Sequence, residues 1–500
     1  MRRYDAIPGI LTWATLLGMF VFSWLLPVWV SVFIILFDTY WLLKTIFLSF
    51  HLRATFTAMR GNVKVDWLAK VRELPARETG WNDLCHLVIL PMYNEPYEVV
   101  RESFQSLARA NYPKDRFIVV LALEARAGEA ARRTGERIER EFGGTFYKLL
   151  TTVHPENLPG EIPGKGSNEA WAAARAREAV IDPLGMDYKN ILVSVFDVDT
   201  QIFPEYFGRL AYVFLTVPDP LRAIYQPIPL FTNNVFEAPA LARVVSFSCT
   251  FWQMMQQSRP ERLTSFSSQS IPFQALVDVG FWQKDIVSED SRIFWQGYFR
   301  YHGGFRVEPM LFPVSMDAPV APTFWGAMKN IYKQQRRWAW GAENVPYLLD
   351  GFAKDAAGSR GIPKRKRWYW TFNALEGYHS WATNSLLIFA LGWLPLFLGG
   401  RQFNATLLSY SLPHITRWII TLSMFGIASS AILAVLLLPK KPGGFRAGDY
   451  AVYLLQWVLM PFTLIAFGAI PGIEAQTRLM LGGRYRLGFW VTPKARGGVH

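Results

Sequence analysis

The sequence is poor in cysteine and in charge. Only two of its 500 residues are cysteines, Cys85 and Cys249, which permits one disulfide at most and excludes a disulfide-stabilised scaffold. Charged residues make up 18% of the chain, whereas an ordinary soluble domain has roughly 25%. Hydrophobic residues make up 51%. This composition excludes a disordered chain and argues against a purely soluble enzyme.

Acidic residues are also in the minority. There are 52 Lys and Arg against 39 Asp and Glu, which gives a net charge of +13. Such an excess suits either nucleic acid or the face of a membrane. The basic residues flank the apolar segments, at Arg2-Arg3, Lys364–Arg367 and Lys440-Lys441. Membrane helices keep this kind of charge on their cytosolic side, so the pattern favours a membrane over nucleic acid.

Long apolar runs lie near both ends of the chain and are missing between residues 51 and 365. Residues 7–26 form a run of 20 residues without a charge, enough to cross a hydrocarbon core of about 30 Å. The apolar character continues past Pro27. We predict a transmembrane helical hairpin over residues 1–50. A cleaved signal peptide is the alternative, but the run is too long and no Ala-x-Ala site follows it.

Three more segments near the C-terminus are long enough to cross a membrane, namely residues 381–398, 418–438 and 451–470. Three crossings would leave the basic tail outside, against the charge rule. Pro461 and Pro471-Gly472 make the last segment the first candidate for a re-entrant or partial span. Residues 360–382 are basic, then aromatic, and this is typical of a helix that lies in the membrane interface.

The middle of the chain alternates short apolar runs with helical patterns. Strands are predicted at 84–91, 116–123, 146–153 and 191–196, and helices at 98–110, 127–142 and 168–180. This order predicts an α/β domain with a mainly parallel sheet. Ligands of such sheets bind at the carboxyl ends of the strands, so the residues that follow each strand are the candidates for a site.

Two acidic strings occupy positions of this kind. Asp197-Val198-Asp199 follows a predicted strand, and paired carboxylates suit Mg²⁺ or Mn²⁺. A surface turn is the structural alternative. Ser288-Glu289-Asp290 precedes an aromatic helix start. It is either a general base beside a polar pocket or an ordinary acidic helix N-terminus.

Two basic strings complete the set of candidates. Lys165 follows Pro163-Gly164 at a predicted helix start, where it forms either an anion site or part of a common N-cap. Gln334–Trp338, with the sequence QQRRW, puts guanidinium groups beside an indole. Such a string can bind a diphosphate and stack a sugar ring, or it can form an interfacial basic-aromatic helix without any chemistry.

Taken together, these strings resemble the membrane-embedded glycosyltransferases of family 2, and in outline their processive polysaccharide synthases, such as the cellulose synthases. The resemblance covers nearly the whole chain. It rests on five strings in the family's order, at 91–96 (PMYNEP), 197–199, 289–290, 334–338 and 489–494 (FWVTPK). Two positions depart from the family pattern. Glu124 stands where an Asp usually ends the second strand, and Ser288 replaces the usual Thr.

The resemblance implies a cytosolic GT-A-like nucleotide-sugar domain inserted between N- and C-terminal transmembrane helices. It divides the chain into a transmembrane hairpin (1–50), a linker (51–83), the catalytic domain (84–345), interfacial amphipathic helices (346–380), a C-terminal transmembrane region (381–472) and a cytosolic tail with a gating-loop-like motif (473–500).

The resemblance also implies a role for single residues. Asp290 would be the general base, and Asp197 and Asp199 would hold Mg²⁺ or Mn²⁺. The acceptor would be bound by Gln334, Arg337 and Trp338. The donor would be bound by Tyr93, Glu95, Glu124, Lys165, Asp197, Thr492 and Lys494.

The implied function is inverting transfer of a sugar from a nucleotide diphospho-sugar, UDP more often than GDP in this family, to a growing β-linked polysaccharide. The polymer would leave through the enzyme's own membrane helices. The alternative with the same residues is a single transfer to a lipid or polyprenyl phosphate. A transporter without chemistry is disfavoured, because the clearest apolar helices contain no charged pairs.

Overall fold

The chain begins with two long helices joined at a proline. The computed structural model describes residues 4–75, 79–353, 361–441 and 443–494, so Arg2-Arg3 and residues 495–500 lie outside the description. Helix α1 spans Ile7–Leu25 and helix α2 spans Pro27–Asn62. Proline suits the first position of a helix because its missing N–H has no partner there anyway. The second helix runs well past the predicted end of the hairpin at residue 50.

An eight-stranded sheet forms the centre of the following domain, in the order β3-β2-β1-β4-β7-β6-β8-β5. Its strands are β1 (Cys85–Met92), β2 (Phe117–Glu124), β3 (Lys148–His154), β4 (Ile191–Val195), β5 (Gln201–Ile202), β6 (Ala223–Leu230), β7 (Ser270–Pro272) and β8 (Arg306–Ser315). The first four match the predicted strands within about two residues, an offset usual for strand ends. The predicted α/β class is confirmed.

The sheet is mixed rather than mainly parallel. Strand β1 pairs in parallel with β2 and β4, and β2 with β3, as a βαβα order requires. The short strand β7 then lies antiparallel between β4 and β6, with Ile271 opposite Val193. Strand β8 pairs in parallel with β6 and antiparallel with β5. Four of the seven pairings are therefore parallel.

Helices cover both faces of this sheet. They are α3 (Trp67–Arg72), α4 (Tyr97–Ala108), α5 (Gly128–Phe142), α6 (Lys165–Ala176), α7 (Tyr206–Thr216), α8 (Ala240–Gln257), α9 (Phe273–Asp278), α10 (Glu289–Arg300), α11 (Phe324–Ala339) and α12 (Asn344–Ala353). Each face has its own apolar core, one around Leu90 and Phe104 and the other around Ile89 and Ala173. Alternate residues of β1 point into opposite cores, as the period of a strand requires.

The C-terminal part is again helical. Its helices are α13 (Lys364–Phe389), α14 (Leu394–Leu398), α15 (Gly400–Asn404), α16 (Leu407–Leu437), α17 (Ala447–Leu455), α18 (Met460–Leu464) and α19 (Ile470–Leu481). Helix α13 runs without a break through the predicted boundary between interfacial and transmembrane segments at residues 380 and 381. The chain bends by 50° just after it, between Phe389 and Leu391.

Four helices of the described residues are long and apolar enough to cross a membrane. They are α1, α2, α16 and the segment Gly448–Leu481, and a fifth arises if α13 and residues 391–398 form one bent span. Both ends of Gly448–Leu481 lie against the α/β domain. The guanidinium of Arg243 in α8 lies 4.6 Å from the Tyr453 ring, and Arg336 in α11 donates to Glu474 at 2.6 Å. Both contacts join the segment to helices of the α/β domain.

Candidate active site

One cavity of about 1340 Å³ opens at the carboxyl ends of β1, β2 and β4. Its wall contains all twelve residues that the sequence singled out. They are Tyr93, Glu95, Glu124, Lys165, Asp197, Asp199, Asp290, Gln334, Arg337, Trp338, Thr492 and Lys494. The strings that stand far apart in the sequence therefore meet at one place, where open α/β sheets bind their ligands.

Lys165 is the central cation of this site. Its Nζ lies 2.8 Å from Asp197 Oδ1, 2.9 Å from Asp290 Oδ1 and 3.5 Å from Glu169 Oε1. The side chain is only 8% exposed. Burial alone would lower the pKa of Lys165, but the carboxylates of Asp197 and Asp290 outweigh it and raise the pKa well above its ordinary value. The lysine is therefore charged and ties two predicted site residues together.

Three carboxyl groups crowd around that lysine. The carboxyl oxygens of Glu169, Glu289 and Asp290 all lie within 4.8 Å of one another. Burial, and then the neighbouring Asp290, raise the pKa of Glu289 to about 8. Burial also raises the pKa of Glu169 well above its ordinary value. Burial therefore favours the protonated form of both glutamic acids, while Lys165 makes its shortest contacts with Asp197 and Asp290.

The predicted metal pair has a different environment. Asp197 Oδ2 accepts a hydrogen bond from Ser267 at 2.8 Å. Asp199 is fully buried; its Oδ2 accepts from the Asp317 N–H at 2.9 Å and from Lys494 Nζ at 2.6 Å. Its Oδ1 is buried and accepts no hydrogen bond from a described residue. Burial would raise the pKa of Asp197, but the positive charges of Lys165 and Lys494 outweigh the effect of burial and hold this pKa below its usual range.

These two carboxylates fit a divalent cation. They offer hard oxygen donors, which Mg²⁺ and Mn²⁺ prefer, and Asp199 Oδ1 has an open acceptor position. The ammonium group of Lys494, from a distant part of the chain, already lies beside them. Burial alone would lower the pKa of Lys494, but the carboxylates of Asp199, Asp317 and Asp197 outweigh burial and raise it. Glu169, Glu289 and Asp290 form a second cluster of carboxyl groups, but Lys165 supplies the cation there.

The segment that contains Lys494 reaches the site from the far end of the chain. Phe489 packs over the Arg337 guanidinium at 4.9 Å, and Trp490 over Lys333 at 5.1 Å. A Cβ at Gly164 would lie 2.6 Å from the Phe489 ring, so this close approach needs glycine next to Lys165. Thr492 is 6% exposed. Residues 489–494 therefore form part of the cavity wall.

The end of β2 carries the departure from the family pattern. Glu124 is held by Arg126, whose Nε lies 2.5 Å from Glu124 Oε2 and whose guanidinium lies 4.4 Å from the Tyr93 ring. Glu95 accepts a hydrogen bond from the Tyr93 N–H at 2.8 Å, and burial raises its pKa. Arg126 thus links the loops after β1 and β2.

Helix α11 presents the QQRRW string to the cavity. Gln334 and Gln335 are buried, and the Trp338 ring lies 5.6 Å from Phe266. The two arginines differ in their surroundings. Arg337 lines the cavity, whereas Arg336 points away and pairs with Glu474, which also accepts from Arg478 at 2.7 Å. The ion pair between Arg336 and Glu474 joins α11 to α19, whereas the one between Glu474 and Arg478 lies within α19.

Sequence reasoning missed three residues that shape this site. Glu169 is one helical turn after Lys165 in α6, so its i, i+4 spacing is a signal that could have revealed it. Arg126 stands two residues after Glu124. Glu343 accepts from the Ser288 hydroxyl at 2.7 Å and from the Ser288 N–H at 3.2 Å, which positions the residue before Glu289. No local pattern marks Glu343.

Comparison with known proteins finds similar solved structures at low sequence identity. No family model and no curated protein matches the chain. Solved structures include the mannosyltransferase PcManGT from Pyrobaculum calidifontis in complex with GDP-Man and Mn²⁺, at 16% identity and a TM-score of 0.42, covering 78% of this chain and 99% of that one. S. aureus TarS 1-349 with UDP-GlcNAc shows 15% identity and a TM-score of 0.36, with coverages of 71% and 91%. At this level of similarity, the function has to be inferred from the site itself.

Proposed function

We propose that the protein is an inverting membrane glycosyltransferase that moves a sugar from a nucleotide diphospho-sugar to a growing β-linked polysaccharide. The observation that carries this proposal is the extent of the cavity. Its wall contains the catalytic candidates Asp290 and Trp338 and also residues of the apolar helices, such as Ile388 of α13 and Ile420 of α16. A polymer made beside the catalytic candidates has a path into the helical region.

One wall of that path suits a carbohydrate. It includes Asn384 and Ser385 of α13, Asp38 of α2, and the indoles of Trp41 and Trp381. Indoles offer flat apolar faces to sugar rings, while the polar groups can bond to hydroxyls. Asp38 is 3% exposed, and neither of its oxygens accepts a hydrogen bond from a described residue. An acid at this place in an apolar helix is typical of a functional path.

The chemistry follows from the carboxylate and lysine arrangement. The acceptor oxygen attacks the anomeric carbon while Asp290 takes its proton, and the bond from that carbon to the diphosphate breaks on the opposite side. Lys165 holds the Asp290 carboxylate in place, and Arg337 stabilises charge that develops on the leaving diphosphate. Asp197 and Asp199 would hold a divalent cation that supplies further positive charge there.

The mechanism needs no covalent intermediate. The one thiol that lines the cavity belongs to Cys249, and burial raises its pKa to about 12. Because the thiolate is the nucleophilic form, Cys249 does not act as a nucleophile at neutral pH.

Product analysis tests the proposal. Purified full-length protein in nanodiscs is incubated with Mg²⁺ or Mn²⁺ and radiolabelled UDP- and GDP-sugars. Label in a glycosidase-sensitive polymer supports the synthase and identifies its donor. Label confined to a lipid extract favours the single-transfer alternative. If no nucleotide binds, the glycosyltransferase proposal fails.

Transfer is expected to depend on pH through Asp290. Burial raises the pKa of Asp290; Lys165 opposes this shift and Asp197 adds to it. A general base must be ionised, so the rate falls as the pH drops through this raised pKa. The acid limb of the single-turnover rate should therefore lie above pH 4, since an ordinary aspartate has a pKa of about 3.9. A rate that stays constant down to that pH would contradict this role.

Metal removal is expected to abolish transfer reversibly. Chelation with EDTA should remove activity, and Mn²⁺ or Mg²⁺ should restore it. Asp199→Asn removes one charge from the metal pair, so the cation concentration for half-maximal activity should rise about tenfold or more. Titrating Mn²⁺ into both proteins measures this shift. Activity that survives exhaustive chelation would exclude the metal role of Asp197 and Asp199.

A further inference from the structure

A group of three cationic side chains lines the same cavity near the start of its helical part. They are Lys44 of α2, and Arg259 and Arg262 just after α8; we refer to them as the cationic cluster. Arg259 is 7% exposed, the Lys44 side chain 15% and the Arg262 side chain 30%. The catalytic mechanism uses none of these residues.

The cationic cluster and the acidic residues next to it together carry more positive than negative charge. Glu376 of α13 pairs with Lys44 at 2.7 Å and lies 3.6 Å from Arg262 Nη2. The neighbouring Glu261 is exposed at the surface. Glu376 is thus the carboxylate that pairs with two of these three cations; Asp38 also lines the cavity, but neither of its oxygens accepts a hydrogen bond from a described residue. A surplus of buried positive charge of this kind favours an anionic ligand, phosphate above all, because charge-assisted hydrogen bonds are the strong ones.

The cationic cluster is close to the catalytic candidates along the chain. Ser265, three residues after Arg262, donates its hydroxyl to the backbone oxygen of Asp290 at 2.6 Å. Thr264, Ser265 and Phe266 all line the cavity between them. A ligand whose phosphate binds the cationic cluster can therefore extend a small polar group toward Asp290.

On its other side the cavity opens sideways between helices. Met424 and Ile432 of α16, together with Leu455 and Val458, line the cavity and are nevertheless 55%, 56%, 68% and 75% exposed. All four side chains are apolar. Helix α16 is one of the helices long enough to cross a membrane. Gly426 of α16 also packs against Thr45, the residue next to Lys44. The opening thus faces the place where lipid chains would lie.

We propose that this cavity binds a phospholipid of the bilayer, with its phosphate on the cationic cluster and its chains in the opening beside α16, and that a hydroxyl of its head group is the first acceptor. This inference rests on the proposed function. In the first transfer the head-group oxygen bonds to the anomeric carbon and its proton goes to Asp290. The bond to the diphosphate breaks, and the nucleoside diphosphate leaves.

Lipid binding to the purified full chain tests the site without any catalysis. Native mass spectrometry with phosphatidylglycerol, phosphatidylserine and phosphatidylcholine compares two anionic lipids with a zwitterionic one. Both anionic lipids are expected to bind more tightly than phosphatidylcholine. Lys44→Gln and Arg262→Gln should each lower the affinity for the anionic lipids about tenfold. Glu376→Gln removes the opposing carboxylate and should instead raise the affinity for the anionic lipids. A folding defect does not produce such an increase.

The matched control is Lys440→Gln, which removes one cation from an exposed position after α16. This variant should bind all three lipids as the unaltered protein does. Equal affinity for the three lipids would overturn the site. The site would also be overturned if variants of the cationic cluster weakened binding of phosphatidylcholine as much as binding of the anionic lipids.

Transfer from the labelled donor tests the acceptor role. Phosphatidylglycerol carries free hydroxyls and phosphatidylserine has none in its head group, so label should enter the lipid extract with the first and not with the second. Asp290→Asn should stop labelling and keep lipid binding. Polymer made without any labelled lipid would overturn the acceptor role and leave the proposed function intact. Lipid binding through the cationic cluster without transfer to any acceptor would instead overturn the proposed function.

Discussion

Replacing Asp290 by asparagine is expected to reduce sugar transfer by about 10²–10⁴-fold, the usual contribution of a general base. Asparagine has nearly the same size and its oxygen can still accept a hydrogen bond from Lys165, which lies 2.9 Å from both carboxylate oxygens. It cannot take the proton from the acceptor. Turnover of a labelled donor gives the rate, and calorimetric titration of the nucleoside diphosphate should show donor affinity within a few-fold of the original.

Asp285→Asn is the matched control for this variant. Asp285 is exposed, five residues earlier in the same segment, and accepts a hydrogen bond from Gln283 at 2.6 Å. Its replacement should leave both rate and binding unchanged. If Asp290→Asn kept most of the turnover, another group would have to accept the proton, and Asp290 would lose its assigned role.

Replacing Lys165 by methionine is expected to abolish transfer and to lower the free energy of unfolding by about 3–5 kcal/mol, as for other buried ion pairs that lose one partner. Lys165 pairs with Asp197 and Asp290, and its side chain is 8% exposed. Without the ammonium group, these two partly buried carboxylates repel each other with no cation between them. Thermal unfolding of the purified protein measures the loss, and Lys189→Met, at an exposed position, serves as control.

A second substitution separates the ion-pair effect from simple loss of packing. Glu169→Gln removes one acidic group beside Lys165, which lies 3.5 Å away. In the Lys165→Met background it should recover part of the lost stability, because contacting residues show interaction energies of about 0.5–3 kcal/mol. Activity should not return, since Asp197 and Asp290 still lack their cation. Strictly additive losses would show that Glu169 and Lys165 do not interact.

The first four strands could be predicted because their signals are local. The residues of β1 are almost all buried, and such a continuous apolar run marks a central parallel strand. Strand β7 could not be predicted in this way. It has three residues, too few to show a period, and its partner Val193 in β4 is far away in the sequence. Two of the three antiparallel pairings of the sheet involve this one short strand.

The C-terminal helices show a different limit of prediction from sequence. Composition changes from basic and aromatic to apolar near residue 380, which suggested two separate segments. Helix α13 continues through that point because no proline or glycine interrupts it between Tyr378 and Phe389. A change in the composition of a segment thus need not coincide with the end of a helix. The sharp bend lies instead after Phe389, before Gly392.

The site was predictable where motifs follow strands and much less so elsewhere. Asp197, Asp199 and Tyr93 come directly after β4 and β1, so topology alone brings them to one edge. Asp290 and Trp338 were placed by the resemblance, and the cavity contains both; their catalytic roles remain predictions. Glu343 could not have been found from sequence, because it acts through a contact with Ser288 that only tertiary packing creates.

The contact between Lys494 and Asp199 bears on the time at which the site becomes complete. The two residues are 295 positions apart, and the helices α13 to α19 lie between them in the chain. During synthesis the α/β domain and its Asp199 leave the ribosome first. Lys494 can reach Asp199 only after all those helices have been made and packed. The cavity wall is therefore completed last, so a chain whose synthesis is unfinished has an incomplete site.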